Sequence, residues 1–129
     1  AMSDQPTCAC GTAAKLIFPC SGGSDVGALA DLAARHMTRD GSGKMYCLAG
    51  IGGRVSGILA STESAAKILA LDGCALNCAK KTLELAGFSG FEHLCLAEIG
   101  FQKGQSPATP ETVAKVAQAA APRLAGCPP

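Results

Sequence analysis

Four short apolar runs, each leading into a turn-forming stretch, constrain the fold of this chain more than any other feature. The runs are KLIFPC, KMYCLAG, KILALDG and EHLCLAEIG, at residues 15–20, 44–50, 67–73 and 92–100. Runs of this length, which mix aliphatic and β-branched residues and end in turns, are typical of buried parallel strands. We therefore predict four strands.

Helical patterns lie between and after these runs. The clearest, at residues 25–39, presents an apolar stripe, with Ser24 available as an N-cap and Gly41 as a stop signal. A glycine-rich stretch that becomes weakly helical occupies residues 50–66. The two remaining helical segments span residues 75–86 and 110–121.

The alternation of strands and helices predicts the fold class. It indicates an α/β protein, a small three-layer sandwich around a parallel sheet of about four strands, with right-handed crossovers. We favour the strand order 2-1-3-4. In such folds ligands bind beyond the carboxyl ends of the strands, where the strand order reverses. Candidate functional residues are therefore expected at that edge.

The length of the chain fits one domain with a single modest core. We assign residues 1–14 to a flexible N-terminal arm that carries Cys8 and Cys10, residues 15–122 to the α/β domain and residues 123–129 to a C-terminal tail. Ala1, which precedes a methionine, is typical of a residue left from an expression tag.

Composition excludes several classes of function. Eleven basic and ten acidic residues leave a net charge of +1, which provides no electrostatic footprint for nucleic acid or a membrane surface. We find neither a signal-peptide pattern nor an apolar stretch long enough to span a bilayer, and we expect a cytoplasmic protein with reduced thiols. Eight cysteines in that setting indicate metal binding or redox chemistry before a disulfide framework.

Three of the cysteines recur at equal intervals. Cys20, Cys47 and Cys74 are each separated by 27 residues, which is roughly one strand–helix unit. In the order 2-1-3-4 their strands are adjacent, so the three sulfur atoms are expected at one edge of the sheet. Cys78, four residues after Cys74, would face the same place if both lay on a helix.

Four cysteines suit a tetrahedral Zn²⁺ site, with Zn–S distances of about 2.3 Å. A helix that began at Cys74 would favour its thiolate, and Asp72 would cap that helix or support a metal ligand. Four thiolate ligands leave no open position for water, which argues against hydrolytic catalysis, and no other catalytic motif is evident. We expect a binding protein rather than an enzyme, with a metal ion as its partner and a homodimer left open.

The residues leave alternatives open. Cys47 could be an ordinary core residue, in which case Cys8 or Cys10 would supply the fourth ligand. Cys95 is expected in the core. A thiol-disulfide redox protein, with Cys74 attacking and Cys78 or Cys20 resolving, is a second hypothesis. Thiolates also suit an Fe–S cluster or another thiophilic metal.

Three motifs together resemble a known family. CSGGSDVGALADLAAR, CLAGIGG and LDGCALNCAKKTLELAG resemble the DGC-domain family of bacteria and archaea, named for an Asp-Gly-Cys triplet that is found here at residues 72–74. The resemblance covers about residues 8–104. It implies a small cysteine-rich cytoplasmic domain that binds zinc, and it brings no established reaction. The motif cysteines that it implies as ligands are Cys20, Cys47, Cys74 and Cys78.

Overall fold

The computed structural model describes residues 13–126 of the chain. Four parallel strands form one sheet in the order β2-β1-β3-β4, which confirms the predicted α/β class and strand order. The strands span Lys15–Pro19 (β1), Lys44–Met45 (β2), Lys67–Asp72 (β3) and Glu92–Cys95 (β4).

Helices connect the strands and follow the last of them. Short 3₁₀ turns at Leu96–Ile99 and Ala121–Arg123 follow β4 and the last helix. The α-helices span Asp25–Asp40 (α1), Leu48–Gly52 (α2), Ser56–Glu63 (α3), Cys78–Leu85 (α4) and Pro110–Ala120 (α5).

Apolar side chains pack on both faces of the sheet, which makes the fold a three-layer sandwich. Successive residues of a strand point to opposite faces, and β1 follows this rule. Ile17 packs with α1 and α5, whereas Leu16 and Phe18 pack with residues of α2 and α4. Leu124, near the C-terminal end of the described residues, is also buried against the first of these faces.

The predicted boundaries of α1 are confirmed. The Ser24 hydroxyl accepts a hydrogen bond from the Gly27 N–H at 3.2 Å, as an N-cap does. Gly41 ends the helix with φ of 86°, a left-handed conformation that favours glycine, and its N–H donates to the Met37 carbonyl.

The second strand is much shorter than predicted. Tyr46 still donates its N–H to the Ile17 carbonyl at 2.8 Å, but the Cys47 carbonyl then accepts from the Gly50 N–H and α2 begins. A Cβ at Gly50 would lie 2.7 Å from Cγ1 of Ile58, so the glycine lets α2 pack closely against α3. The prediction that the second strand reaches Cys47 is therefore wrong, because the strand ends at Met45.

Two further boundaries differ from the prediction. The fourth strand ends at Cys95 and continues as a 3₁₀ turn, although the apolar run reaches residue 100. Helix α4 begins at Cys78, three residues later than the predicted start, and Asn77 before it adopts a left-handed φ of 55°. This late start affects the candidate site directly.

Candidate thiol site

The carboxyl edge of the sheet carries a cysteine at the end of every strand. Cys20 follows β1, Cys47 follows β2 by two residues, Cys74 follows β3 by two residues, and Cys95 is the last residue of β4. The sequence predicted the first three of these positions at this edge. The fourth follows from the register, in which Cys95 pairs with Asp72.

Glycine residues bring the turns after β1 and β3 into close contact with α1. A Cβ at Gly73 would lie 2.7 Å from the carbonyl carbon of Val26, and a Cβ at Gly27 would lie 2.4 Å from the carbonyl oxygen of Gly22. Such distances leave no room for a side chain. The Gly73 N–H also donates to Sγ of Cys20 at 3.4 Å, so the two turns are joined at the cysteine itself.

Asp72 fixes the start of α4 from the end of β3. Its carboxylate is buried and accepts hydrogen bonds from the Ala79 N–H at 2.7 Å and the Lys80 N–H at 3.1 Å. These are among the first N–H groups of the helix, which have no partner within it. Asp72 therefore caps α4, one of the two roles predicted for it.

The late start of α4 changes the roles of Cys74 and Cys78. Cys74 lies in the loop before α4, and Cys78 is the first helical residue. The predictions that Cys74 lies at a helix N-terminus and that the two thiols share a helix face are therefore wrong. The reason is the Asp72 cap, which acts on residues seven and eight positions later.

Cys47 is exposed and precedes the first residue of α2. The alternative that it is an ordinary core residue is therefore wrong. Cys95, by contrast, is buried at 5% exposure, as predicted. Burial raises the pKa of the Cys95 thiol; a hydrogen bond with the Ala97 backbone lowers it, and negative charge on Asp72, Glu98 and Cys74 raises it further.

The donor chemistry suits zinc, but the side chains do not form a preassembled site. Within residues 13–126, no three His, Cys, Asp or Glu side chains are grouped so that they could hold a metal ion. Cys20 and Cys47 line one cleft, whereas Cys74 and Cys78 lie outside its lining. Cys8 and Cys10, the predicted replacement ligands, lie outside the described residues, as does Cys127.

Comparison with known proteins identifies the family. The family model described as the DGC domain matches residues 16–120. The chain belongs to the DGC-domain family. A curated relative, the anaerobic and virulence modulator AnvM of Pseudomonas aeruginosa, is 40% identical over 88 residues, which cover 68% of this chain and 67% of the relative. No solved structure matches the chain significantly.

Each residue of the DGC triplet now has a structural role in this DGC domain. Asp72 caps α4, Gly73 allows close contact with the first turn of α1, and Cys74 follows at the surface of the sheet edge, partly exposed. The first two residues of the triplet therefore connect β3 to α4 and α1, and the third carries the thiol.

His93 contributes an interaction that sequence reasoning missed. Its Nε2 atom lies 2.9 Å from Oδ2 of Asp72, and Arg123 donates a hydrogen bond to its backbone carbonyl. His93 and Asp72 are 21 residues apart and meet because β4 pairs with β3 in register. No local motif marks such a pair, and only the strand order together with the register could have indicated it.

A cleft of about 970 Å³ opens beside β1, β2 and α1 in the DGC domain. Asp31 organises one wall of it: Oδ1 accepts from the Ser21 hydroxyl and Oδ2 from Nε of Arg35, both at 2.7 Å. Burial raises the pKa of Asp31, but the hydrogen bonds from Arg35 and Ser21 and the charge of Arg35 outweigh burial and leave it below its ordinary value. Ser21 itself adopts a left-handed φ of 52°, which is unusual for a residue with a side chain.

None of the helices in residues 13–126 combines the length and apolar character needed to cross a membrane.

Proposed function

We propose that this DGC-domain protein is a regulatory metal-binding protein that holds zinc through cysteine thiolates. One observation carries the proposal. Cysteines follow three adjacent strands at the carboxyl edge of the sheet, and a fourth begins the next helix. Thiolates are ligands that zinc prefers, and four of them complete its coordination. The proposed ligands are Cys20, Cys47, Cys74 and Cys78.

Zinc binding in this protein requires a local rearrangement, because the four thiols do not converge in the described conformation. The segment from residue 73 to residue 77 is the part that we expect to move. Within it, Oδ1 of Asn77 is buried and has no hydrogen-bond partner. A conformation in which this oxygen gains a hydrogen-bond partner would relieve the cost of leaving it unpaired. Metal binding would thus be coupled to a rearrangement of the segment.

A regulatory role fits both the proposed site and the relative. Four thiolates leave no coordination position for water, so the site suits binding, sensing or transfer of a metal better than hydrolysis. AnvM is named as a modulator, and we extend only that general role to this chain. Reduced thiols require a reducing compartment, and we therefore propose the cytoplasm as its location.

A thiol-disulfide redox protein is the second candidate. Cys20, Cys47, Cys74, Cys78 and Cys95 are all free thiols, and two of them are exposed. The name of the relative refers to anaerobic conditions, which agrees with a response to oxidants. In this function Cys74 would attack and Cys78 or Cys20 would resolve the intermediate.

Metal analysis of anaerobically purified protein separates these functions. We propose to compare the natural chain with Cys74→Ser, Cys78→Ser and, as a matched control, Cys95→Ser, after circular dichroism has confirmed that each variant folds. We expect about one zinc per chain in the natural protein and in Cys95→Ser, and a loss of zinc in the other two. Cys47→Ser and a double Cys8→Ser, Cys10→Ser variant identify the remaining ligand.

Two other outcomes of the metal analysis would indicate a different function. A colourless protein that neither contains zinc nor binds added zinc, and whose Cys74 reacts rapidly with disulfides, would replace the metal function with the redox function. A brown protein with visible absorbance would indicate an Fe–S cluster.

A further inference from the structure

The cleft beside Cys47 has properties that zinc binding does not use. Its volume of about 970 Å³ is at the upper end of the range for small-molecule sites. Apolar groups, among them Met45 and Leu48, line part of it, and Tyr46 adds an aromatic ring. The cleft is therefore suited to a ligand that has an extended body as well as polar ends.

The polar wall of the cleft is positively charged. Arg35 is neutralised by Asp31, whose two oxygen atoms are both occupied. Arg39 also lines the cleft, and its guanidinium makes no hydrogen bond or ion pair with the described residues. Lys44 does not line the cleft, but its Nζ lies 6.0 Å from the centroid of the ring of Tyr46, which does.

One carboxylate close to Arg39 must be considered. The charge of Arg39 contributes to lowering the pKa of Asp40, after the larger effect of hydrogen bonds from the Ser42 hydroxyl and N–H. Both of those bonds go to Oδ1, and Asp40 does not belong to the cleft lining. Oδ2 of Asp40 lies 3.8 Å from Nε2 of His36, and Asp40 forms no ion pair with Arg39. The guanidinium of Arg39 therefore remains available to an anion that enters the cleft.

We propose that this cleft binds a small anionic disulfide, of the chemical class of glutathione disulfide, and that Cys47 forms a mixed disulfide with it. Cys47 is exposed and lines the same cleft as Arg39. Its sulfur attacks one sulfur of the ligand, the ligand S–S bond breaks, and a new S–S bond joins Cys47 to one half. The other half leaves as a thiol and takes up the proton that Cys47 has lost.

This inference shares Cys47 with the proposed metal site but does not require zinc binding, because it uses only the thiol of Cys47 and the charge of the cleft. The two would interact in the cell, since a Cys47 held in a mixed disulfide is no longer a thiolate ligand. The test therefore uses chelator-treated, reduced protein, so that failure of zinc binding does not affect the result.

Peptide mass mapping provides the test, with Cys78 as an internal control. Cys78 is exposed like Cys47 but lies outside the cleft lining. The reduced protein is treated with glutathione disulfide, which is anionic, or with cystamine, which is cationic. The rate of modification at each cysteine is measured in the natural chain, in Arg39→Gln and in Lys115→Gln, which removes an exposed charge on α5.

We expect glutathione disulfide to modify Cys47 faster than Cys78. Arg39→Gln should slow this reaction by about twofold to fivefold, the range for one partly exposed ion pair, and Lys115→Gln should leave it unchanged. The reaction of Cys47 with cystamine should not slow in Arg39→Gln. Salt at about 0.5 M should reproduce the effect of Arg39→Gln in the natural chain, which covers the case of a variant that does not fold.

Three results would overturn the proposal. They are equal rates at Cys47 and Cys78 with glutathione disulfide, an unchanged rate in Arg39→Gln together with insensitivity to salt, and an equal slowing of both disulfides in Arg39→Gln. The last would mean that Arg39 affects the conformation or reactivity of Cys47 rather than recognising an anion.

Discussion

The carboxylate of Asp72, only 1% exposed, lies 2.9 Å from Nε2 of His93 on the neighbouring strand. The same carboxylate accepts two backbone N–H groups at the start of α4. One buried group thus connects β3, β4 and α4 immediately before Cys74.

Replacement of Asp72 by asparagine should destabilise the protein strongly. Asparagine has nearly the same size as aspartate but carries no charge. One of its two terminal groups is an NH₂, which cannot accept a hydrogen bond from the N–H groups of α4. We expect the free energy of unfolding to fall by about 1.5–3 kcal/mol, the range for hydrogen bonds to a charged group. Denaturant unfolding provides the measurement. Asp31→Asn, in a more exposed network, serves as the control and should cost no more than about 1 kcal/mol; equal losses in the two variants would contradict the role of Asp72.

Substitution of Gly73 by alanine should also destabilise the fold, for a steric reason. The new Cβ would lie 2.7 Å from backbone atoms of Val26, which cannot move aside as a flexible side chain can. Overpacking of this kind costs about 1–3 kcal/mol. Gly23→Ala is the matched control, since a Cβ there meets nothing within 4 Å. A shift of the melting temperature in Gly73→Ala but not in Gly23→Ala is expected, and the reverse pattern would contradict the proposed contact.

Asp25 should make the stability of the protein depend on acid pH. Hydrogen bonds from the Gly104 and Ser106 N–H groups hold its pKa below the ordinary value of 3.8. The unfolded chain therefore binds the proton more readily, and the stabilisation is complete above the ordinary value and lost as the pH falls through the lower pKa of the folded state.

Asp25→Asn tests this dependence. The variant should be less stable than the natural chain at pH 7, and the difference between the two should shrink as the pH falls below the ordinary pKa of aspartate. Thermal unfolding at a series of pH values provides the measurement. A constant difference at all pH values would show that ionisation of Asp25 does not matter.

Cys95 should be protected from alkylation in the folded protein. It is buried and its thiol pKa is raised, and both effects slow reaction with iodoacetamide. We expect Cys47 and Cys78, which are exposed, to be modified first, and Cys95 only after addition of denaturant. Peptide mass mapping distinguishes the sites. Modification of Cys95 at the rate of Cys78 under native conditions would contradict the buried position.

The predictions from sequence were most accurate where the information was local and periodic. Helix α1 begins after Ser24 and ends at Gly41 because a cap and a left-handed glycine act within one turn. The prediction failed at Cys47, where an apolar run reads equally well as a strand or a helix. In the structure α2 begins at Leu48 and Gly50 packs closely against Ile58 of the next helix, a contact that the apolar run itself does not reveal.

By itself, the sequence determined the α/β class and, if the favoured strand order 2-1-3-4 held, the position of Cys20, Cys47 and Cys74 at one edge of the sheet. The class follows from the alternation of apolar runs and helical patterns, which is a property of the chain alone, whereas right-handed crossovers are compatible with more than one strand order. Only the tertiary structure decided that α4 starts at Cys78 and that Asp72 meets His93. Those features depend on contacts between segments that are distant in sequence. No local sequence pattern indicates which groups will form hydrogen bonds with a buried carboxylate such as that of Asp72.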